Sequence, residues 1–477
     1  MPSFTCDFLQ TANVFPHYWE HTIGSGHAPL ALRADWQKQM RRCHRELGFR
    51  HVRFHALLSD QMGTLVREED KLIYSFFNTD RIMDFLLSIG MRPFVELSFM
   101  PEALASGSQT VFRYRANVTP PADYRQWKAL IRKLVGHWVE RYGVAEVRQW
   151  FFEVWNEPNL SSFWKAGQRD YFRLYRETAA AVRDVDTQLK VGGPATADNK
   201  WVTPFLDYCR REKIPVDFIS THQYPTDAFG KEGADTVTQL EHFRRDEMKK
   251  QTARVRGEAR NLPLYYTEWN CSSNPRDPLH DEAFSAAFAT RIIMDSQGLA
   301  EGYSFWTFSD LFEENYFPSV PYHGGFGLLN LYGVPKPVYR AFQLLHRLGG
   351  ERLDVEGRHS TVDVWVMRDD HAATMLITNL AMPRHAIQTE RVEIVLPGAP
   401  LPRRAWVERI DAEHANPRSE WREMGSPEYL SPWQVRRLEI ASRLEKEPVP
   451  WRREAGAVHF SVSLPRQAVA AITFEFA

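Results

Sequence analysis

The amino-acid sequence predicts an α/β fold: a (β/α)8 TIM barrel with a C-terminal β-sandwich domain and a small helical excursion. Between about residues 12 and 345, apolar strand-like runs alternate with amphipathic stretches of helical period, as in repeated βα units. After Leu345 the segments become short, rich in β-forming residues and nearly alternating, which is typical of a sandwich. A polar stretch of helical character at about 411–452 interrupts this second pattern.

Eight strand candidates predict the barrel. They lie at 14–19, 49–55, 92–98, 149–155, 189–195, 216–224, 262–269 and 302–309. Intervening segments such as 122–143 and 168–186 place apolar residues at helical spacing. A doubly wound open sheet is the alternative. It would need a phosphate-binding loop after its first strand, and the sequence has none there.

The sandwich is predicted from five further strand candidates, at 360–368, 372–380, 391–396, 457–464 and 468–476. The first residues, up to about 11, are expected to add a strand to it. The predicted domains are therefore the barrel at 12–345 and a sandwich formed by 1–11 plus 346–477. The helical insertion at about 411–452 belongs to the sandwich.

Composition limits the classes of function. With 59 Lys and Arg against 60 Asp and Glu, the chain lacks the basic excess of a nucleic-acid-binding protein. The four cysteines are far apart and form no CxxC motif, which favours reduced thiols in a cytoplasmic protein. The N-terminal residues do not resemble a secretory signal, and no apolar run reaches the ~18 residues of a membrane span.

Two glutamates close predicted barrel strands, Glu157 the fourth and Glu268 the seventh. Functional groups of such barrels collect at these strand ends. Because side chains alternate along a strand, Glu153, Trp155 and Glu157 are expected to share one face, as are Tyr266 and Glu268. Two carboxylates at one barrel mouth are what glycoside hydrolysis requires.

Simpler interpretations compete with this one. A glutamate at a strand end is more often solvated or paired than catalytic. Glu153 is a rival acid, although we expect it inside the barrel, paired with Arg53. A metal site from His21, His27 and Glu20 is disfavoured, because their spacing matches no common metal motif.

The motifs FEVWNEPNL, YYTEWN, FWTFSDLFEE and HGGFGL, with the earlier WEHTIGSGHA at 19–28, resemble glycoside hydrolase family 39. This is the β-xylosidase and α-L-iduronidase family, and the motifs are closest to those of bacterial β-xylosidases. The resemblance implies a barrel plus a sandwich and a reaction that retains the anomeric configuration. It also implies that Glu157 is the acid/base and Glu268 the nucleophile.

The resemblance implies further substrate-binding residues as well. Asn156 would bond the sugar 2-hydroxyl, Tyr224 would donate to the nucleophile, and Trp306 would form the floor of the site. The remaining candidates are expected to contact or wall the sugar, and they are His55, His222, Glu314, Phe163 and His21. No cofactor and no metal ion are expected.

The residue two positions after His222 indicates which sugar is bound. An α-L-iduronidase is expected to carry a lysine there, whereas this chain has Tyr224, as xylosidases do. We therefore expect exo-acting release of β-D-xylose from xylo-oligosaccharides. An iduronidase-like or other retaining β-glycosidase activity is the alternative, and a catalytically silent sugar-binding protein is disfavoured because both glutamates are present. A homo-oligomer is left open.

Overall fold

A computed structural model describes residues 1–227, 235–315 and 317–476. Its centre is a closed barrel of parallel strands, each paired with the next along the chain and the last with the first. The barrel strands β1 to β8 are Thr22–His27, His51–His55, Arg92–Leu97, Phe151–Val154, Lys190–Thr196, Phe218–Gln223, Leu264–Trp269 and Gly302–Phe305. The predicted (β/α)8 barrel is confirmed.

The predicted first strand, at 14–19, is wrong. A short 3-10 helix occupies Tyr18–Glu20, and β1 follows it. The sequence of β1, TIGSGH, carries no hydrophobic alternation because its residues are buried on both sides. A side chain at Gly24 would have its Cβ 2.5 Å from the ring of Trp306, so the close packing at this strand excludes larger residues.

Helices surround the barrel. They are Ala34–Leu47, Phe77–Ser88, Tyr124–Tyr142, Val144–Val147, Gln168–Val185, Val202–Glu212, Thr236–Glu241, Glu247–Ala259, Ala283–Asp295 and Pro337–His346. The helix Tyr124–Tyr142 illustrates why they form. Asp123 caps its first turn by accepting from the backbone N–H of Arg125. Its buried face includes Trp127 and Trp138, whose rings pack against Trp155 and Trp150 beside β4.

The two ends of the barrel differ in polarity. At the end where the strands begin, Phe94, Phe151, Phe218 and Tyr265 from β3, β4, β6 and β7 form one aromatic cluster. At the end where the strands finish, the interior carries charged and hydroxyl side chains. The aromatic cluster closes the first end, so the second is where a polar ligand can bind.

The C-terminal region forms two sheets that pack face to face through a shared apolar core. One sheet contains, in spatial order, Ser3–Thr5, Glu390–Pro397, Ala457–Leu464 and Trp451–Glu454. The other contains Asn13–Val14, Glu351–Leu353, Val362–Arg368, Ala372–Asn379, Ala468–Glu475, Arg404–Ile410 and Glu447–Pro448. All pairings are antiparallel except that of Ser3–Thr5. The N-terminal strand Ser3–Thr5 thus pairs with a strand of the C-terminal region.

Helices Pro417–Glu423 and Pro432–Ala441 lie in the segment predicted to be a helical insertion. The second begins with a capping box between Ser431 and Gln434. Trp421 and Leu438 pack against residues of the loop after β8, so the insertion rests on the barrel. Among the described residues, no helix is both long and apolar enough to cross a membrane.

Candidate active site

The polar end of the barrel brings most of the predicted site residues together in one buried cluster. Arg53 contacts Asn156 and Glu268 directly, and further contacts link the other members of the cluster to these. The cluster contains His55, Asn156, Glu157, His222, Tyr224, Glu268, Trp306 and Glu314. These residues come from the ends of β2, β4, β6, β7 and β8 and the loops that follow, as the barrel geometry predicts.

Glu157 reaches this cluster by a turn of the backbone and not by strand alternation. β4 ends at Val154, and both Trp155 (φ 71°) and Glu157 (φ 41°) adopt the left-handed region. The expectation that Trp155 shares the face of Glu153 is therefore wrong. It packs on the outside of the barrel, where its Nε1–H donates to the carbonyl oxygen of Phe163.

Glu268 is also placed by an irregularity. The register of β7 shifts beside both of its neighbours, β6 and β8, which indicates a β-bulge. As a result Thr267 and Glu268, although adjacent, both contact groups inside the barrel. Tyr266 instead packs on Tyr303 on the outer side, so the expectation that Tyr266 and Glu268 share a face was wrong.

The two carboxylates are close. An oxygen of Glu157, an oxygen of Glu268 and a ring nitrogen of His222 all lie within 4.8 Å of one another. Burial raises the pKa of Glu157 well above its usual value, and the negative charge of Glu268 raises it further. Both effects favour the protonated form of Glu157.

Glu268 accepts hydrogen bonds from two neighbouring side chains. Nη1 of Arg53 donates to its Oε1 over 2.8 Å, and the Tyr224 hydroxyl donates to its Oε2 over 3.0 Å. Burial, followed by repulsion from Glu268, raises the pKa of Tyr224 well above its usual value, so this hydroxyl remains a donor. Glu268 is therefore oriented by two donors, whereas the surroundings of Glu157 favour its protonated form.

Arg53 organises the interior of the barrel. Its Nε donates to Glu153 over 2.5 Å, so the predicted pair is present. Nη2 donates to the side-chain oxygen of Asn156 over 3.0 Å and lies 2.8 Å from Glu96. Because Asn156 uses its oxygen in this way, its N–H groups are what it can offer to a sugar hydroxyl.

Glu96 is a site residue that sequence analysis missed. Its carboxylate lies 2.7 Å from Nδ1 of His55. Although burial acts in the opposite direction, Glu96 raises the pKa of His55 and fixes its ring. A glutamate within the apolar strand run RPFVELS was the available signal, since a charge inside a barrel needs a partner.

Trp306 and Glu314 face the same space as His55. The rings of His55 and Trp306 lie 4.7 Å apart, and Nε2 of His55 is 3.6 Å from Glu314. Burial raises the pKa of Glu314 to about 8. Among the residues that the structure describes, none hydrogen-bonds Oε1 of Glu314, so this buried oxygen points to a ligand as its partner.

The last two predicted residues lie farther out. Phe163 is buried beside Phe112 and Phe99 in the loops above β3 and β4, so it supports the wall of the site. His21 is a correction. It precedes β1 and stacks on His51 at the aromatic end of the barrel, 4.5 Å between ring centroids. Because substrate groups collect at the opposite strand ends, His21 does not contact the sugar.

The alternative metal site is not assembled either. His21 and His27 lie at opposite ends of β1, and His27 stacks on Tyr114. Glu157, His222 and Glu268 are close enough to share an ion, as are His17, Glu20 and His346. A metal ligand must be deprotonated, whereas Glu157 holds a proton and Glu268 is already bonded by Arg53 and Tyr224. Acid/base chemistry fits the first group better.

Comparisons with known proteins agree with this geometry. The model of the family "Glycosyl hydrolases family 39" matches residues 6–458. A protein named "Beta-xylosidase" from Caldicellulosiruptor saccharolyticus is 47% identical over 96% of this chain and 95% of its own. One of the same name from Geobacillus stearothermophilus is 39% identical over 97% and 93%.

A solved structure of a monomeric β-xylosidase from Caulobacter crescentus CB15 covers 100% of both chains, with 33% identity and a TM-score of 0.88. The family model covers most of the chain, and the polar barrel end carries two neighbouring carboxyl groups in unlike surroundings. The chain belongs to glycosyl hydrolases family 39.

Proposed function

We propose that this protein is a retaining, exo-acting β-D-xylosidase that releases xylose from xylo-oligosaccharides by double displacement. The observation that carries the proposal is the pair Glu157 and Glu268, whose carboxyl oxygens lie within 4.8 Å of each other. The surroundings raise the pKa of Glu157, whereas two donors hold Glu268. Retaining glycosidases hold their carboxyl groups about 5–5.5 Å apart, whereas inverting enzymes leave room for a water between them.

In the first step the carboxylate of Glu268 attacks the anomeric carbon. The bond from that carbon to the glycosidic oxygen breaks, and Glu157 gives its proton to this oxygen. Arg53 and Tyr224 hold Glu268 in place for the attack. The product is a covalent xylosyl ester on Glu268, and the shortened oligosaccharide leaves with the proton of Glu157.

In the second step Glu157 acts as a base. Esterified Glu268 carries no negative charge, so the repulsion that raised the pKa of Glu157 is relieved and its ionised form can exist. A water gives a proton to Glu157 while its oxygen attacks the anomeric carbon. The ester bond breaks, Glu268 regains its charge, and xylose is released with its original configuration.

Two observations support xylose as the sugar. Both relatives named β-xylosidases align over more than nine-tenths of this chain. Tyr224 stands where an iduronidase would need a lysine, and its hydroxyl is already committed to Glu268. Exo action is supported by enclosure, since Glu157, Glu268 and Trp306 are each less than a tenth exposed.

A panel of 4-nitrophenyl glycosides tests the proposal. The β-D-xyloside should be hydrolysed with a kcat/KM at least about tenfold above that of the β-D-glucoside, because the extra hydroxymethyl group of glucose costs on the order of 1–3 kcal/mol in a tight pocket. Preference for an α-L-iduronide would favour the iduronidase-like alternative. Xylose binding without turnover of any glycoside would favour a silent sugar-binding protein.

We further propose that the enzyme works in the cytoplasm. All four cysteines are free and buried, as suits a reducing compartment. Activity measured in fractionated cells tests this location, and xylosidase found outside the cytoplasmic fraction would contradict it.

A further inference from the structure

A buried chain of hydrogen bonds leads from the interior of the barrel to Glu157. The Thr267 hydroxyl donates to Oε1 of Glu153 over 2.8 Å. Nε2 of His222 lies 3.1 Å from the Thr267 oxygen, and Nδ1 of His222 lies 2.9 Å from Oε1 of Glu157. All four side chains are buried.

The donors and acceptors along this chain can be assigned from its inner end. Burial raises the pKa of Glu153, but the positive charge of Arg53, which donates to its other oxygen, acts in the opposite direction and favours the carboxylate as an acceptor. The single hydroxyl proton of Thr267 is therefore used on Glu153, so the Thr267 oxygen must accept from His222. His222 thus carries its proton on Nε2.

The donor and acceptor at the outer end of the chain, between His222 and Glu157, can then be assigned. Burial, with the nearby charge of Arg53, lowers the pKa of His222 well below its usual value, so the ring is neutral. A neutral ring protonated on Nε2 has only a lone pair at Nδ1. Oε1 of Glu157, 2.9 Å away, can bond to that lone pair only if Glu157 carries a proton.

We propose that Thr267 is a positioning residue that fixes the Nε2–H tautomer of His222 and thereby keeps the proton of the free enzyme on Glu157. The inference deepens the proposed xylosidase function and rests on Glu157 being its acid. Thr267 does not touch substrate in this role. It acts through His222 and joins the acid to the ion pair of Glu153 and Arg53.

Removal of the Thr267 hydroxyl should release His222. The ring could then move its proton to Nδ1 and donate to Glu157, which would stabilise the ionised carboxylate and lower its pKa. The other charged groups that act on Glu157 remain in place in such a variant. They are Glu268, Arg53, Asp198 and Glu314.

The first test is the pH profile of Thr267→Val, which keeps the shape of the side chain and removes the hydroxyl. The basic limb of kcat/KM reports the acid of the free enzyme, and we expect it to move about one pH unit lower. Hydrolysis of xylosides with poor leaving groups should fall at least about tenfold more than that of 4-nitrophenyl β-D-xyloside. Thr267→Ser, which keeps the hydroxyl, should match the wild type in both properties.

Thr178→Val is the matched control. Thr178 is a buried threonine on the helix Gln168–Val185, and its hydroxyl oxygen accepts from Nε1 of Trp127 over 2.8 Å. This variant also loses a buried hydrogen bond, but far from the acid, so the basic limb should not move. A Thr267→Val enzyme that slows on all leaving groups equally, with an unmoved limb, would overturn the proposal.

A second test does not depend on activity. In wild-type protein labelled with ¹⁵N-histidine, and with His222 assigned by comparison with His222→Asn, we expect Nε2 protonated and Nδ1 unprotonated. Protonated Nδ1 would overturn the tautomer assignment even if Thr267→Val does not fold. Failure of the wild type on every xyloside would instead refute the proposed function and leave the tautomer result standing.

Discussion

Nη1 of Arg53 donates to Oε1 of Glu268 over 2.8 Å, and the guanidinium is completely buried. Its remaining donors reach Glu153, Asn156 and Glu96. One arginine from β2 therefore positions side chains from β3, β4 and β7. The charge that orients the nucleophile also neutralises the buried acids of the barrel interior, so stability and catalysis depend on the same residue.

Arg53→Lys should harm both properties. Lysine keeps the positive charge but cannot reproduce the fork of donors, which leaves buried carboxylates without partners. We expect the free energy of unfolding to fall by about 3–5 kcal/mol and kcat/KM to fall by at least about a hundredfold. Urea unfolding followed by circular dichroism, and xyloside kinetics, measure the two. Arg148→Lys, at the half-exposed pair with Asp186, is the control and should change neither by much.

Tyr224→Phe isolates the second donor to Glu268. The variant removes the hydroxyl that lies 3.0 Å from Oε2 and keeps the ring. We expect kcat/KM on 4-nitrophenyl β-D-xyloside to fall about tenfold to a hundredfold, with a melting temperature close to that of the wild type. Tyr171→Phe is the control, because its hydroxyl bonds the backbone oxygens of Val154 and Pro194. The opposite result, with activity lost only in Tyr171→Phe, would count against the assignment.

Glu157→Ala should slow hydrolysis most for xylosides whose leaving group must be protonated as it departs. For xylosides with poor leaving groups we expect a loss of about 10²–10⁴-fold, and a much smaller loss of bond cleavage for activated aryl xylosides. Azide should restore turnover and yield the xylosyl azide of retained configuration. Glu153→Gln should show no azide rescue, since Glu153 lies inside the barrel. Equal losses on all leaving groups in Glu157→Ala would disprove its role as acid.

The raised pKa of Glu314 predicts a pH-dependent stability. Its ordinary value is 4.5 and burial raises it to about 8 in the folded protein. The folded state therefore binds a proton there more tightly, and this stabilisation is complete below pH 4.5 and is lost as the pH rises towards 8. Glu314→Gln lacks this titration. As the pH rises from 4.5 towards 8, the wild type should lose stability relative to Glu314→Gln. The difference between their unfolding free energies should change by at most about 1.4 kcal/mol per pH unit.

Parallel urea-unfolding curves of the two proteins at several pH values measure this difference. A difference that stays flat across the window would show that Glu314 does not hold its proton in the folded state.

Glu313→Gln changes the neighbouring carboxylate, which pairs with Arg33 at the surface. Because a surface ion pair contributes little, kcat/KM of this variant for the xyloside should stay within about twofold of the wild type.

Most of the barrel could be predicted from sequence because its strands are apolar runs bounded by turns and helices. β1 could not, since TIGSGH has neither apolar alternation nor a continuous apolar run. Its place depends on the ring of Trp306, which packs where a side chain on Gly24 would stand. Because Gly24 and Trp306 are far apart in the sequence, the pattern of residues around either one does not predict their contact.

The ends of β4 and β7 are where prediction of the site from the sequence fails. Glu157 and Glu268 lie at strand ends, as their positions in the sequence predict, but strand alternation is not what turns their side chains inwards. Left-handed residues turn Glu157 inwards, and a bulge turns Glu268 inwards beside Thr267. Such irregularities are set by packing with neighbouring strands, so alternation fails at the positions that matter most for function. His21 was misassigned because the start of β1 was taken for its end.

The most direct test of the account is covalent trapping of the nucleophile. The protein should be incubated with an activated 2-deoxy-2-fluoro-β-D-xyloside, which forms the glycosyl-enzyme but hydrolyses slowly, and its peptides analysed by mass spectrometry. We predict stoichiometric inactivation with the fluoroxylosyl group esterified to Glu268. A label on any other residue, or hydrolysis of β-xylosides without a trapped intermediate and with the α anomer of xylose formed first, would contradict it.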